Sequence, residues 1–298
     1  MEKRIQNSVP LAQFTTFHIG GSAEMFIQSD TEEELIEAVS YAHHQGIPFF
    51  LLGGGSNLVV ADEGVKGLVI RNQAKDRIKI DVEKGLVSFS SGISLSQVVK
   101  ISLQNGLTGM EPFTGIPGTL GGAIYGNAGA YGRCIADILI DAEILTFDGR
   151  VCYVKNSFFE FSYRDSVVKR SPFLVLNSTL KLGKGEPEKI LAQMNDILAQ
   201  RKSKHPPIEI GSAGSFFKNL APKPGETRRQ AAGEILEKAG AKSMAVGGAS
   251  VYSKHANFIV NYGKATAEDV RRLAIQMKEK VQQVFGIDLH EEVLYIGN

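Results

Sequence analysis

The chain has 298 residues, enough for one large or two to three small domains, and at this length it buries roughly three quarters of its unfolded surface without needing disulfides or metal. Its composition, 43% hydrophobic and 22% charged, is that of a soluble globular protein and excludes disorder as the main state. Lys plus Arg number 33 against 32 for Asp plus Glu, and the net charge of +1 argues against a nucleic-acid coat or a polybasic membrane binder.

No apolar run follows the basic MEKR start, so no secretory signal is expected, and no apolar stretch approaches the roughly 18 residues of a membrane span. Ala23 to Gln28 reads as a strand. A helix follows, opened by a capping box of Thr31 and Glu34, with Leu35, Val39 and Ala42 on one face and Gly46 as its stop. Phe49 to Leu52 is a short apolar strand running into Gly53-Gly54-Gly55-Ser56-Asn57, and Leu58 to Val60 with Leu68 to Arg71 complete a unit ending near residue 70. A second segment, 71–205, opens with strands at Ile78 to Asp81 and Leu86 to Ser90 in hairpin style, then a helix capped by Ser94 and stopped at Gly106. The run GMEPFTGIPGTLGGAIYGNAGAYG spans Gly109 to Gly132. Strands at Ile138 to Thr146, Val151 to Lys155 and Leu174 to Leu182 lead to a helix from Pro187 to Lys202. After His205-Pro206-Pro207 a third segment, 206–298, holds the loop GSAGSFFKN, a helix around Gln230 to Ala239, and a strand at Ala256 to Asn261. A long helix follows from Ala267 to Phe285, capped by Thr266 with Asp269 and burying Val270, Leu273, Met277, Val281 and Val284, and then a closing strand from Glu292 to Ile296. The class is mixed α+β.

Neither GxGxxG nor GxxxxGK[ST] occurs, so Rossmann and Walker sites lack their signatures. Six dispersed histidines and two isolated cysteines, Cys134 and Cys152, give no reason to expect a metal site or a disulfide framework, and that cysteine usage suits a reducing cytoplasm. Glycine is the outlier, at 32 residues. Three consecutive glycines after a strand permit φ > 0 and expose successive N–H groups as an anion nest, although a plain strand-to-strand turn has the same composition. The run from Gly115 to Ala123 lets backbone lie against a flat ligand and starts a helix at its positive end, and Asn127 adds a side-chain amide. Close packing through small residues is the alternative.

Two glycine-rich loops some 60 residues apart, without a Rossmann signature, resemble the two-part FAD site of vanillyl-alcohol-oxidase-like flavoproteins. GGGSN, GIPGTLGGAIYGNAGAYG, FSYRDS, SAGSFFKN and EEVLYIG, in that order, resemble the UDP-N-acetylenolpyruvoylglucosamine reductase family in its compact subtype. The resemblance implies two subdomains that hold FAD (1–70 and 71–205) and a C-terminal α+β substrate-binding domain (206–298). It implies NADPH as electron donor and reduction of UDP-N-acetylglucosamine enolpyruvate to UDP-N-acetylmuramate, in the cytoplasm, for peptidoglycan precursor synthesis. Gly53, Gly54, Gly55, Ser56, Asn57, Gly115, Ile116, Pro117, Gly118, Thr119, Gly122, Ala123, Asn127 and Ala128 are the expected FAD contacts. Arg164, Ser215 and Glu292 match the family's active-site arginine, proton-donating serine and glutamate.

For those three the chemistry is a test of fit. Arg164 is always cationic and can brace a carboxylate as charge grows on it. Glu292 helps only if burial keeps it protonated or if it hydrogen-bonds the carboxylate edge. Ser215 would protonate the α-carbon, with Lys218 easing the transient alkoxide. Strand alternation sends Glu291 and Glu292 to opposite faces, leaving Glu291 in solvent. The substrate's diphosphate calls for cations, and Arg201, Lys204, Lys218, Asn219, Lys254 and His255 are the candidates, the last two on opposite faces of a strand. An FAD oxidase on the same fold and a non-catalytic nucleotide-sugar sensor are the competing readings. The first would not need the Arg164, Ser215 and Glu292 set, and the second would not need to keep it.

Overall fold

The structure, a computed structural model, describes residues 1–297. The chain forms two compact units: Met1–Asn7, Met25–Gly54 and Gly67–Arg201 in the first, and Ser8–Glu24, Gly55–Lys66 and the chain from Lys202 onward in the second. No helix among the described residues is long and apolar enough to cross a membrane. Helices and sheets are mixed in the α+β manner.

In the first unit, helix α1 (Glu32–His44) starts where the Thr31 hydroxyl accepts the Glu34 N–H at 3.1 Å, so the expected N-cap forms. Its buried stripe, Leu35, Ala38, Val39 and Ala42, packs with Ile27, Leu68, Ile70, Leu145, Leu174 and Leu176. Each valine, leucine or isoleucine among them contributes on the order of 1.5–3 kcal/mol through burial. Strand Phe49–Leu52 runs parallel to Val65–Asn72, pairing Phe49 with Leu68 through Leu52 with Arg71, and so delivers the chain to Gly53 at its C-terminal end. A five-stranded antiparallel sheet has the order Val151–Lys155, Leu139–Thr146, Phe173–Lys181, Leu86–Ser90, Ile78–Asp81. One face carries α2 (Leu95–Gln104), whose Ser94–Gln97 capping box and Gly106 stop at φ +64° fix its ends, and α3 (Leu120–Tyr125). Helix α4 (Pro187–Lys204) carries the chain out of this unit.

The second unit is built on α6 (Ala267–Phe285), with the expected Thr266–Asp269 capping box and Gly286 closing it at φ +66°. Val270, Leu273, Met277 and Val281 are buried as expected, but Val284 is 49% exposed, because the last turn of the helix clears the core. Around α6 lie α5 (Ala232–Lys238) and a small sheet ordered Gly211–Ser212, Ile259–Asn261, Ala249–Val251, Ala245–Val246. The closing strand is shorter than expected, Leu294–Ile296, and runs parallel to Leu58–Val60. The expected strand from Ala256 begins only at Ile259, since Lys254 to Phe258 form turns, so Lys254 and His255 do not alternate across a strand.

Candidate active site

In the first unit the two glycine motifs touch. A Cβ on Gly54 would stand 2.6 Å from Gly118 Cα, and one on Gly53 would stand 2.7 Å from Thr119 Oγ1. Neither backbone can carry a side chain there, so Gly53–Gly54 and Gly118–Thr119 lie against each other as one platform. Hydrogen bonds from Leu95 N to Gly118 O (2.9 Å), Leu120 N to Ile93 O (2.9 Å) and Gly121 N to Ser91 O (2.8 Å) fix the second loop. Thr119 is buried, and its hydroxyl accepts the Gly122 N–H at 3.2 Å, capping the six-residue α3. Gly115, Pro117 and Gly122 are exposed, Ile116 is half-buried, and Ala123 is buried in the core.

The end of this run grips the FSYRDS turn. Asn127, buried at φ +42°, donates Nδ2 to Ser162 O (2.9 Å) and accepts the Ala136 N–H on Oδ1 (3.1 Å), so its amide is committed inside the protein. Ala128 N donates to Ala123 O, and Ala128 O accepts from Ile135 N. Ser162 and Asp165 exchange backbone hydrogen bonds of 3.1 and 3.2 Å, closing a tight turn with Arg164 at φ +58°. Turns with φ > 0 at the third residue favour Gly or Asn, and arginine there is strained. The Lys169 ammonium holds Arg164 O at 2.6 Å, while the guanidinium donates to Gly129 O at 2.8 Å and lies 5.3 Å from the Tyr163 ring centre. Asp165 pairs with Arg170, not with Arg164. Arg201 completes this unit's expected set, packed under Gly115 and 5.9 Å from the Tyr131 ring centre.

The GGGSN loop is shared, because Gly55, Ser56 and Asn57 belong to the second unit. Gly55, at φ +61°, lies so close to the Phe14 carbonyl that no side chain fits, and Ser56 is half-buried in the loop. Asn57 is a clamp: its Nδ2 donates to Glu292 O at 3.0 Å, and its carbonyl accepts Leu294 N at 3.0 Å. On the other side, Glu292 N donates to Phe216 O at 2.8 Å, and Glu291 bridges antiparallel to Phe217. Glu292 therefore sits where the chain changes partners, leaving the serine loop to join Leu58–Val60, and this explains the short closing strand. Ser215 is one residue from that hydrogen bond, so Ser215 and Glu292 come together although 77 positions separate them in the chain, 215 to 292.

Asn257, 2% exposed, is the residue that sequence reasoning missed. Its side chain accepts Phe217 N and donates to Phe217 O, both at 2.9 Å, and its carbonyl accepts Phe216 N at 2.8 Å. Its position in SKHANFIVN, two places past the residues singled out there, is the only signal the sequence offers. Glu291 is half-buried instead of solvent-facing: it pairs with Lys278 at 3.4 Å, and together with burial it pushes the Tyr295 phenol well above its ordinary range. Of the residues expected at the diphosphate, Lys204 and Lys254 are exposed. Lys218 is half-buried and its N–H donates to His290 O at 2.8 Å, and Asn219 Oδ1 accepts Ala232 N at 3.1 Å, starting α5. His255 is packed with His205 and Phe258, and burial, reinforced by Lys204, holds its pKa below the usual value.

A reductase of Synechococcus sp. (strain JA-3-3Ab), named UDP-N-acetylenolpyruvoylglucosamine reductase, is 38% identical over 99% of this chain and 92% of its own length. The protein of that name from Bacillus velezensis is also 38% identical, over 99% and 94%. The chain belongs to the UDP-N-acetylenolpyruvoylglucosamine reductase family. Residues 206–296 match the family model for the C-terminal domain of UDP-N-acetylenolpyruvoylglucosamine reductase, and residues 23–155 match an FAD binding domain. The crystal structure of the reductase from Thermus caldophilus superposes with a TM-score of 0.81 at 34% identity, covering 99% of each chain. In this reductase family member the match to an FAD binding domain spans both glycine motifs. The platform is compatible with such a group, because three of its four residues, Gly53, Gly54 and Gly118, carry no side chain and their backbone lies close together.

Proposed function

We propose that this chain reduces UDP-N-acetylglucosamine enolpyruvate to UDP-N-acetylmuramate with electrons from NADPH, as a cytoplasmic FAD enzyme of peptidoglycan precursor synthesis. One observation carries the catalytic reading. In a member of this family, the hydrogen bond from Glu292 N to Phe216 O ties the glutamate strand to the serine loop, with Asn57 and Asn257 holding the two sides. The match along the whole chain to reductases favours this reading over an FAD oxidase or a non-catalytic sensor.

Gly53–Gly54 and Gly115–Thr119 would hold FAD, which when bound would supply the hydride chemistry between NADPH and the enol ether. The ether's β-carbon gains a hydride and its α-carbon a proton, which saturates the double bond. Between those events charge spreads onto the substrate carboxylate as an enediolate. Arg164 serves that charge: its guanidinium is permanently cationic, and a strained turn fixes where it is presented. Ser215 Oγ delivers the proton to the α-carbon. Glu292, protonated or hydrogen-bonded to the carboxylate edge, keeps the developing charge from meeting a second anion. Lys218, three residues after the serine, offsets the alkoxide, and Lys204, Asn219, Lys254 and His255 are the candidates for the diphosphate region. The functional division proposed is 1–70 and 71–205 for FAD and 206–298 for the UDP-sugar, with 8–24 and 55–66 packed into the substrate unit.

Ser215→Ala tests this reading. Proton transfer by a positioned group is worth roughly 10²–10⁴ in rate, so substrate-dependent NADPH oxidation should fall by that factor while NADPH still bleaches the flavin band. Wild-type turnover in the variant would remove Ser215 from the mechanism. A wild-type protein that stays colourless after reconstitution with FAD would end every flavin reading.

A further inference from the structure

Arg201, near the end of α4, carries a charge that no carboxylate among the described residues answers. Its Nε is buried without a hydrogen-bond acceptor, and among the described residues no carboxylate acts on the guanidinium. Burial presses its pKa down, yet a guanidinium stays charged at any working pH, so the desolvation is suffered by a cation. Charges are kept in such places when a partner compensates them, and among the described residues no carboxylate does so.

The surroundings identify the partner. The arginine stem is wedged under the second glycine motif: a Cβ on Gly115 (φ +74°) would stand 2.9 Å from Arg201 Cδ and 3.2 Å from Leu198 Cδ2. The Tyr131 ring lies 5.9 Å from Arg201 Cζ. Contact of a cation with a ring supplies no hydrogen-bond acceptor, so the guanidinium N–H donors still call for one. Tyr131 is 51% exposed and adopts φ +52° beside Gly132 at φ +76°, at the tip of the hairpin Gly129–Ala130/Arg133–Cys134. Such two-residue turns favour Asn-Gly, so an exposed tyrosine is held there in strain. A desolvated planar cation against the glycine that opens such a loop is suited to phosphate oxygens.

We propose that Arg201 binds the diphosphate of FAD, with Tyr131 covering the guanidinium, although the sequence alone gives Arg201 to the UDP-sugar. The assignment rests on the FAD reading above. It follows from the company Arg201 keeps: Gly115 opens the loop that reaches Gly118–Thr119 and, through them, Gly53–Gly54.

Arg201→Met keeps the stem and removes the charge; Arg201→Lys keeps the charge without the fork. FAD binding to the apoproteins is followed by quenching of flavin fluorescence at two salt concentrations. The expected result for the Met variant is a Kd for FAD raised roughly 10- to 100-fold, the worth of one charge-assisted contact, with a flatter salt dependence. The Lys variant should fall between. The KM for the UDP-sugar, measured at saturating FAD, should stay within about threefold of wild type, and the apo melting point should not drop, since an unanswered charge has been removed. An unchanged Kd for FAD in the Met variant overturns the proposal, and a raised KM for the UDP-sugar would then assign the guanidinium to the substrate. If the Met variant fails to fold, wild-type FAD affinity and salt slope in the Lys variant overturn it equally. Failure of the wild-type protein to bind FAD refutes the functional reading itself and is a separate outcome.

Discussion

Gly54→Ala and Gly122→Ala should move the apoprotein in opposite directions. At Gly54 the new methyl would stand 2.6 Å from Gly118 Cα, 3.2 Å from its carbonyl carbon and 3.4 Å from its nitrogen. Carbon pairs rest at about 3.5–4.0 Å, so roughly 1 Å of separation must open between two backbone segments with no flexible side chain to yield. Overpacking of that kind costs about 1–3 kcal/mol, or a melting point lower by about 3–10 °C for a unit of this size. At Gly122 the methyl meets only Thr119 Oγ1, at 3.5 Å, and lies on the exposed side of α3. Alanine there should stabilise the apoprotein by about 0.5–1 kcal/mol through helix propensity. Both variants should nevertheless lose FAD affinity, Gly54→Ala because the platform is split and Gly122→Ala because the methyl occupies the cofactor's side of it. Scanning fluorimetry of the apoproteins with and without FAD, joined to a fluorescence titration, separates the two quantities. An apo Gly54→Ala protein as stable as wild type refutes the close contact of the loops. A stabilised Gly122→Ala protein with unchanged FAD affinity removes Gly122 from the cofactor site.

Asn57→Ala deletes the donor to Glu292 O and should lower stability by about 0.5–1.5 kcal/mol in chemical denaturation. Turnover should fall more than FAD affinity does; the reverse pattern would make Asn57 a cofactor contact first and a clamp second. His255 is half-buried beside Phe258 and His205, and this desolvation, with Lys204 and Lys242 disfavouring its charged form and Glu237 favouring it, holds its folded pKa below the ordinary 6.5. The unfolded chain therefore takes up the proton more readily. The resulting stability is complete above the unfolded value and is lost as pH falls through the folded one. Melting points measured from about pH 7 to pH 5 should decline less steeply in His255→Gln than in wild type, and parallel curves would contradict the burial argument.

Local rules were enough for elements whose cause is local. Thr31, Ser94 and Thr266 announce their helices because each supplies the oxygen that the third helical N–H needs, and each does so in the structure. Val284 failed because periodicity says which face of a helix is apolar and nothing about where the core stops. At the site, glycine content marked both loops correctly as places where backbone comes close, but their neighbour is in part each other. Asn57 and Asn127 look alike in sequence to ligand-binding amides, and both turn out to spend their side chains on backbone 235 and 35 positions away. Asn257 was invisible for the same reason: a buried amide that clamps a loop has no periodicity and no motif of its own. Tyr-Arg-Asp reads as a loop, and only the backbone reveals that Arg164 occupies a conformation suited to glycine. Long-range pairing chooses among these meanings, and sequence spacing cannot encode it.

The first unit satisfies two of its buried carboxylates entirely from within, and Arg201 contrasts with them. Glu32, 9% exposed on α1, receives Arg77 at 2.9 Å, the Ser90 hydroxyl at 2.8 Å and the Asn177 amide at 3.0 Å. Glu111, 3% exposed just ahead of the second glycine motif, receives the Thr108 hydroxyl at 2.5 Å and Gly109 N–H at 2.6 Å. Both carboxylates are satisfied within the fold. The Arg201 guanidinium, wedged beneath Gly115 in the same unit without a carboxylate, stands apart from groups paired this completely. A net charge of +1 conceals the contrast, because it counts charges without asking which of them already have partners. Recognition of a polyanion needs no excess of positive charge over the whole chain; it needs a cation whose counter-charge arrives with the ligand.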